Sequence, residues 1–182
     1  GASVCVRSRS EVFHRFSVGH SELAPQVRIA DNQTVWDVAS LTKVLATTPI
    51  AMAMVDAGLL DLDAPVAAVV NDVDPGISAR HLLSHTSGMA PWLPMAEKVG
   101  LKGAGTGAVR EAVLRLARTA PLHSVPGSKY AYSELGFLTL CALLESVGQA
   151  RIDVLYERYV RKPSGVDLRF GWPDAAATEQ CP

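Results

Sequence analysis

The chain opens with two alternating segments and then runs almost entirely to helical patterns, an order that narrows its possible folds more than any other feature. ASVCVR alternates apolar with other residues, EVFHRFSVGH follows the turn-like SRS, and together they predict a β-hairpin. A two-stranded hairpin cannot bury both of its faces by itself. After residue 60 no stretch reads as a central strand, so the sheet is expected to be unfinished within this sequence.

The strongest helical pattern covers residues 38–60, with Leu41, Val44, Leu45, Ala51, Met52 and Val55 at helical spacing and Gly58 near the end. Pro49 lies inside it and predicts a kink or a division. ISARHLLSH predicts a short amphipathic helix stopped by the turn-rich TSGMAP, and GAGTGA a flexible break. A helix follows over about 108–118, where Val109, Val113, Leu116 and Ala117 share a face. PLHSVPGSKYAYS reads as loop, feeding a helix over 134–147 that ends near Gly148, and another spans 152–160. Residues 19–34 read as irregular, and no periodic pattern appears from Pro163 onward.

Composition excludes several classes of function. Of the 182 residues 48% are hydrophobic and 19% charged, which fits a globular chain and not a disordered one. A net charge of -1 gives no electrostatic reason to expect nucleic acid or an anionic membrane as partner. The apolar stretch 44–60 carries Thr47, Thr48, Pro49 and Asp56, so no membrane span is expected. Gly1 and Ala2 lead into a strand pattern and not into a basic, apolar leader, so no signal peptide is predicted and localisation stays open between cytoplasmic and exported. Cys5, Cys141 and Cys181 lack disulfide or metal-ligand spacing and read as structural, the first two as small buried apolar residues. His81 and His85 stand at i and i+4, but Leu82 occupies the place where a zinc peptidase needs a glutamate and no third ligand presents itself. No metal and no cofactor are expected.

VASLTK carries the chemistry. A serine hydroxyl needs a neighbour to accept its proton, and Ser40 and Lys43, at i and i+3 of one helix, share a face. The positive end of a helix dipole disfavours an ammonium there, which favours a usable base, and the Ser40 amide at that end is free to act as an oxyanion donor. By itself the pair is weak evidence, because composition alone supplies about 0.4 such pairs by chance.

The wider pattern is far more specific. WDVASLTK, then GLLDLDAPV, ARHLLSHTSGM and VPGSKYAYSELGFLTL together resemble, in order and over essentially the whole chain, the serine β-lactamase-like superfamily, in the branch of class C β-lactamases, DD-peptidases and related esterases. The resemblance implies that Ser40 is the acylated nucleophile, Lys43 its activating partner and Tyr132 the second proton-transfer group, with Tyr130 as competitor for that last role. It also implies that His85 and Thr86 are packing or hydrogen-bonding residues in a structural turn. Two departures stand out. The family places Asn where this chain has Glu134, a carboxylate that would hold Lys43 as an ammonium or else turn away. The family's third motif, Lys/His-x-Gly on a sheet strand, is absent after Tyr132.

The expected fold is therefore α/β (α+β), a partial β-lactamase-like domain over 1–182, with hairpin and nucleophile helix in 1–60 and a mostly helical half in 61–182. The expected function is that of a serine hydrolase acting on an ester, a β-lactam or a D-alanyl peptide, incomplete in this chain and nearly inactive without its C-terminal part or a second copy. The alternative is a non-catalytic binding relative or an inactive truncated piece.

Overall fold

The computed structural model of the protein describes residues 1–9, 11–100 and 106–171. GAGTGA lies partly, and Cys181 wholly, outside them. The described chain forms two compact units, one from the N-terminal 39 residues with those from Arg169 onward, the other from Ser40–Leu168.

In the first unit, β1 (Ala2–Ser8) and β2 (Glu11–Val18) pair antiparallel as a two-stranded sheet, with Ala2 opposite Val18 and a register shift between Val6 and Arg7. Val4, Val6, Val12, Phe13, Phe16 and Val18 all remain exposed, as a two-stranded sheet with neither face covered requires. Cys5 pairs with Arg15 and is exposed too, which corrects the buried position expected for it. The stretch expected to be irregular holds a second small sheet, β3 (His20–Glu22) with β4 (Arg28–Ile29), whose strands are too short to leave a periodic signal. Trp36 donates its indole N–H to Ser3 Oγ at 3.0 Å.

The second unit is helical. A π-type turn, Lys43–Thr47, runs into α1 (Thr48–Asp56), and Thr48 N–H donates to Lys43 O five residues back. Pro49 explains the widening. It has no N–H for the carbonyl of Leu45, so the turn before it relaxes from α to π geometry without breaking the helix. A 3₁₀ turn (Val66–Ala68), α2 (Ala79–Leu83), α3 (Met95–Val99), α4 (Gly107–Arg118), α5 (Glu134–Gly148), α6 (Ile152–Tyr156), a second π-type turn (Glu157–Arg161) and α7 (Lys162–Ser164) complete it. The five-residue α3 and three-residue α7 had no helical signature in the sequence.

Helix α5 is the axis of the core. Leu135, Phe137, Leu140, Leu143 and Leu144 are buried with Ile50, Met54, Val66, Ile77, Leu82, Met89 and Leu155. Hydroxyls start the helices where the chain turns in: Ser133 Oγ accepts from Gly136 N–H, and Ser78 Oγ from His81 N–H. Cys141 is half-buried on α5, and burial, then the charge of Glu145, pushes its thiol up to about 12, so it stays an unreactive thiol. Among the described residues no single helix is long and apolar enough to cross a membrane.

Candidate functional site

The SHTSGMAP and PGSKYAYS segments are laced together through their main chains, and that lacing delivers Tyr132 to the start of the Ser40 helix. Leu122 bridges Met89, His123 N–H donates to Gly88 O, Gly127 N–H to Thr86 O and Ala131 N–H to His85 O. The loop then closes as Ser133 Oγ donates to Ala90 O at 2.7 Å and Glu134 N–H to Pro91 O at 2.8 Å. Gly88 makes the approach possible. It sits at φ +77°, and a Cβ there would lie 2.0 Å from Ser124 O, a main-chain atom that cannot yield alone. Gly88→Ala is expected to cost at least about 2 kcal/mol, from left-handed strain plus overpacking, and thermal melting measures it.

On this bed three side chains converge. Lys43 Nζ donates to Ser40 Oγ at 3.2 Å, the helix-face pair the spacing predicts. Tyr132 O–H donates to the same oxygen at 3.0 Å across 92 residues of sequence. Lys43 Nζ also stands 5.2 Å from the centroid of the Tyr132 ring and 5.8 Å from that of Phe137, so two aromatic faces hold the ammonium over Ser40. Phe137 lies within the helix that the sequence predicts over 134–147, and periodicity alone does not mark it as a site residue. Tyr130 is 71% exposed and turns its ring edge-on to His85, while Tyr132 reaches Ser40. The Ser40 amide donates to no acceptor among the described residues, which leaves it free for an oxyanion.

The electrostatics of the cluster act on Tyr132. Lys43 close beside it, then its hydrogen bond with Ser40, draws the phenol below its ordinary value of 10, while burial and the Glu134 charge oppose the shift more weakly. Glu134 is exposed as the first residue of α5, and no ion pair joins it to Lys43 among the described residues. Its charge reaches the site through Tyr132 instead. Glu134→Asn is therefore expected to move the alkaline limb of any Tyr132-dependent rate to lower pH. An unchanged profile would remove Glu134 from the site.

The two histidines are committed to the backbone. His81 Nδ1 accepts from Ser78 N–H at 3.2 Å in a capping box, and His85 Nδ1 accepts from Ser133 N–H at 3.1 Å.

The family model described as Beta-lactamase matches residues 1–180. A Salmonella paratyphi A protein named as a D-alanyl-D-alanine carboxypeptidase is 28% identical over 179 residues, covering 88% of this chain and 41% of its own length. Among solved structures, a penicillin-binding protein from Bacillus halodurans has a TM-score of 0.70 at 22% identity, with 94% of this chain and 55% of the other covered. EstCE1, a hydrolase with promiscuous acyltransferase activity, has a TM-score of 0.76 at 26% identity, covering 96% of this chain and 50% of the other. The chain thus spans about half, or less, of the length of the proteins it matches.

Proposed function

Because the chain belongs to the Beta-lactamase family and has a partial β-lactamase fold, we propose that it carries the nucleophile half of a serine hydrolase that forms an acyl-enzyme on Ser40. One observation carries this reading: Ser40 Oγ receives hydrogen bonds from both Lys43 Nζ and Tyr132 O–H. An isolated helix cap has no use for two such partners.

The chemistry follows from the protonation bias. Tyr132, ionised with Lys43 beside it, takes the Ser40 proton as Oγ attacks the substrate carbonyl carbon. Lys43 Nζ, beside both, steadies the phenolate and the attacking oxygen, and the Ser40 amide supplies one donor to the oxyanion. Tyr132 then passes the proton to the departing alcohol or amine, leaving an ester on Ser40. Water attacks that ester, gives a proton to Tyr132, and the acid leaves as Ser40 Oγ recovers it.

Esters, β-lactams and D-alanyl peptides all present the carbonyl this step needs. Esterase-like chemistry ranks first, because Glu134 replaces the family's Asn at the edge of the site. The full-length gene product, offered a short-chain p-nitrophenyl ester, nitrocefin and a peptide ending in D-alanyl-D-alanine, is expected to turn over the ester fastest. Failure to turn over any of the three would contradict the hydrolase reading.

A further inference from the structure

His85 grips the nucleophile's partner from behind. Both residues flanking Tyr132 are tied to it: Ala131 N–H donates to His85 O at 2.9 Å, and Ser133 N–H to His85 Nδ1 at 3.1 Å. Its ring packs on the Tyr132 ring at 4.6 Å between centroids and on Phe137 at 5.0 Å, inclined by 37° and 36°. Its backbone lies at φ +56°, a left-handed conformation uncommon outside Gly, in which Asn, Asp and His are the enriched exceptions. Packing alone would not require histidine here, since a leucine fills space as well. An acceptor at the Nδ1 position is what leucine lacks.

We infer that His85 is a positioning residue for Tyr132: its neutral imidazole fixes the Ser133 amide and the Tyr132 ring, and its protonation releases Tyr132 from Ser40. This rests on the Ser40–Tyr132 reading above. An imidazolium carries hydrogen on both nitrogens and has no lone pair left for Ser133 N–H. The charged and titratable groups set against it are Lys43, before α1, and Tyr130 and Tyr132 from the loop. Burial first, then the Lys43 charge, hold the imidazole below its ordinary range, so the gripping form is the one present at neutral pH. The sign is then fixed. The grip is full above the ordinary histidine range and is lost as pH falls through the lowered His85 value.

Two protons must be off for acylation, one from Tyr132 and one from His85. The logarithm of the acylation rate is therefore expected to rise with pH at a slope of about one below the Tyr132 pKa and to steepen toward about two below that of His85. Asparagine tolerates the left-handed backbone, places Oδ1 near the position of Nδ1 and does not titrate. His85→Ala is expected to lose on the order of 10²-fold in kcat with little change in KM. His85→Asn is expected to recover most of that loss and to keep the slope near one down to low pH.

The test is the pH profile of ester turnover by full-length wild type, His85→Asn and His85→Ala, paired with ¹⁵N NMR of the Ser133 amide. Steepening in wild type that disappears in His85→Asn, with a Ser133 amide shift that titrates with the His85 ring, supports the inference. Steepening that persists in His85→Asn, or a Ser133 amide indifferent to His85 protonation, overturns it. If wild type turns over nothing at any pH, the hydrolase reading fails, and the Ser133 titration alone decides whether His85 grips. If His85→Ala unfolds, the comparison of wild type with His85→Asn still decides it.

Discussion

Ser40→Ala is expected to abolish covalent labelling of the full-length gene product by a fluorophosphonate or a fluorescent penicillin, and to lower hydrolytic turnover by about 10⁶-fold. The size of the effect follows from the mechanism. Every step that Lys43 and Tyr132 assist passes through a bond to the oxygen that the substitution removes, so nothing they contribute survives it. Stability should hardly change, because Ser40 is exposed and exposed substitutions away from special features usually stay within about 0.5 kcal/mol. A variant that folds as before and labels as before would leave Ser40 as a polar residue at a helix start.

Tyr132→Phe is expected to lower the acylation rate by about 10²- to 10⁴-fold while leaving the loop in place. Phenylalanine keeps the ring that stacks on His85 and faces Lys43, and the main-chain bonds of Ala131 and Ser133 do not involve the hydroxyl. Only the proton acceptor is lost. In wild type the rate should climb as the phenol ionises below its ordinary value of 10, and in the variant that limb should vanish. The substitution thus separates proton transfer from architecture, which a change to alanine would not do. An alkaline limb that survives in Tyr132→Phe would assign the base to Lys43 instead.

Much of this site was legible because its first element obeys a local rule. Ser40 and Lys43 are three residues apart in the turn that opens the helix, where Lys43 N–H donates to Ser40 O, and that local geometry brings their side chains to 3.2 Å. Tyr132 obeys no such rule, since 92 residues separate it from Ser40, and only the order of motifs along the chain pointed to it. The role of His85 was less accessible still. It works through the amides of Ala131 and Ser133, and main-chain bonds of that kind leave no mark on side-chain identity. Phe137 looked like any core residue of a helix, and its contact with Lys43 depends on where α5 begins.

The fold divides the same way. The hairpin and the longer helices announce themselves by period, whereas β3, β4 and α3 are shorter than one cycle of a reliable pattern. Cys5 was misjudged because an apolar residue in a strand normally faces a core, and here the two-stranded sheet has neither face covered. The hairpin valines and phenylalanines that stay exposed are the expected cost of a sheet with two strands.

The central claim is that an acyl group ends on Ser40. Brief incubation of the full-length gene product with a slowly hydrolysed β-lactam or activated ester, followed by proteolysis and mass spectrometry, tests it directly. One added acyl group is expected, on the peptide that contains Ser40 and on its hydroxyl, absent from Ser40→Ala. An adduct on another serine, such as Ser133 or Ser87, or substrate consumed through Ser40 with no acyl group trapped at any time, would contradict it.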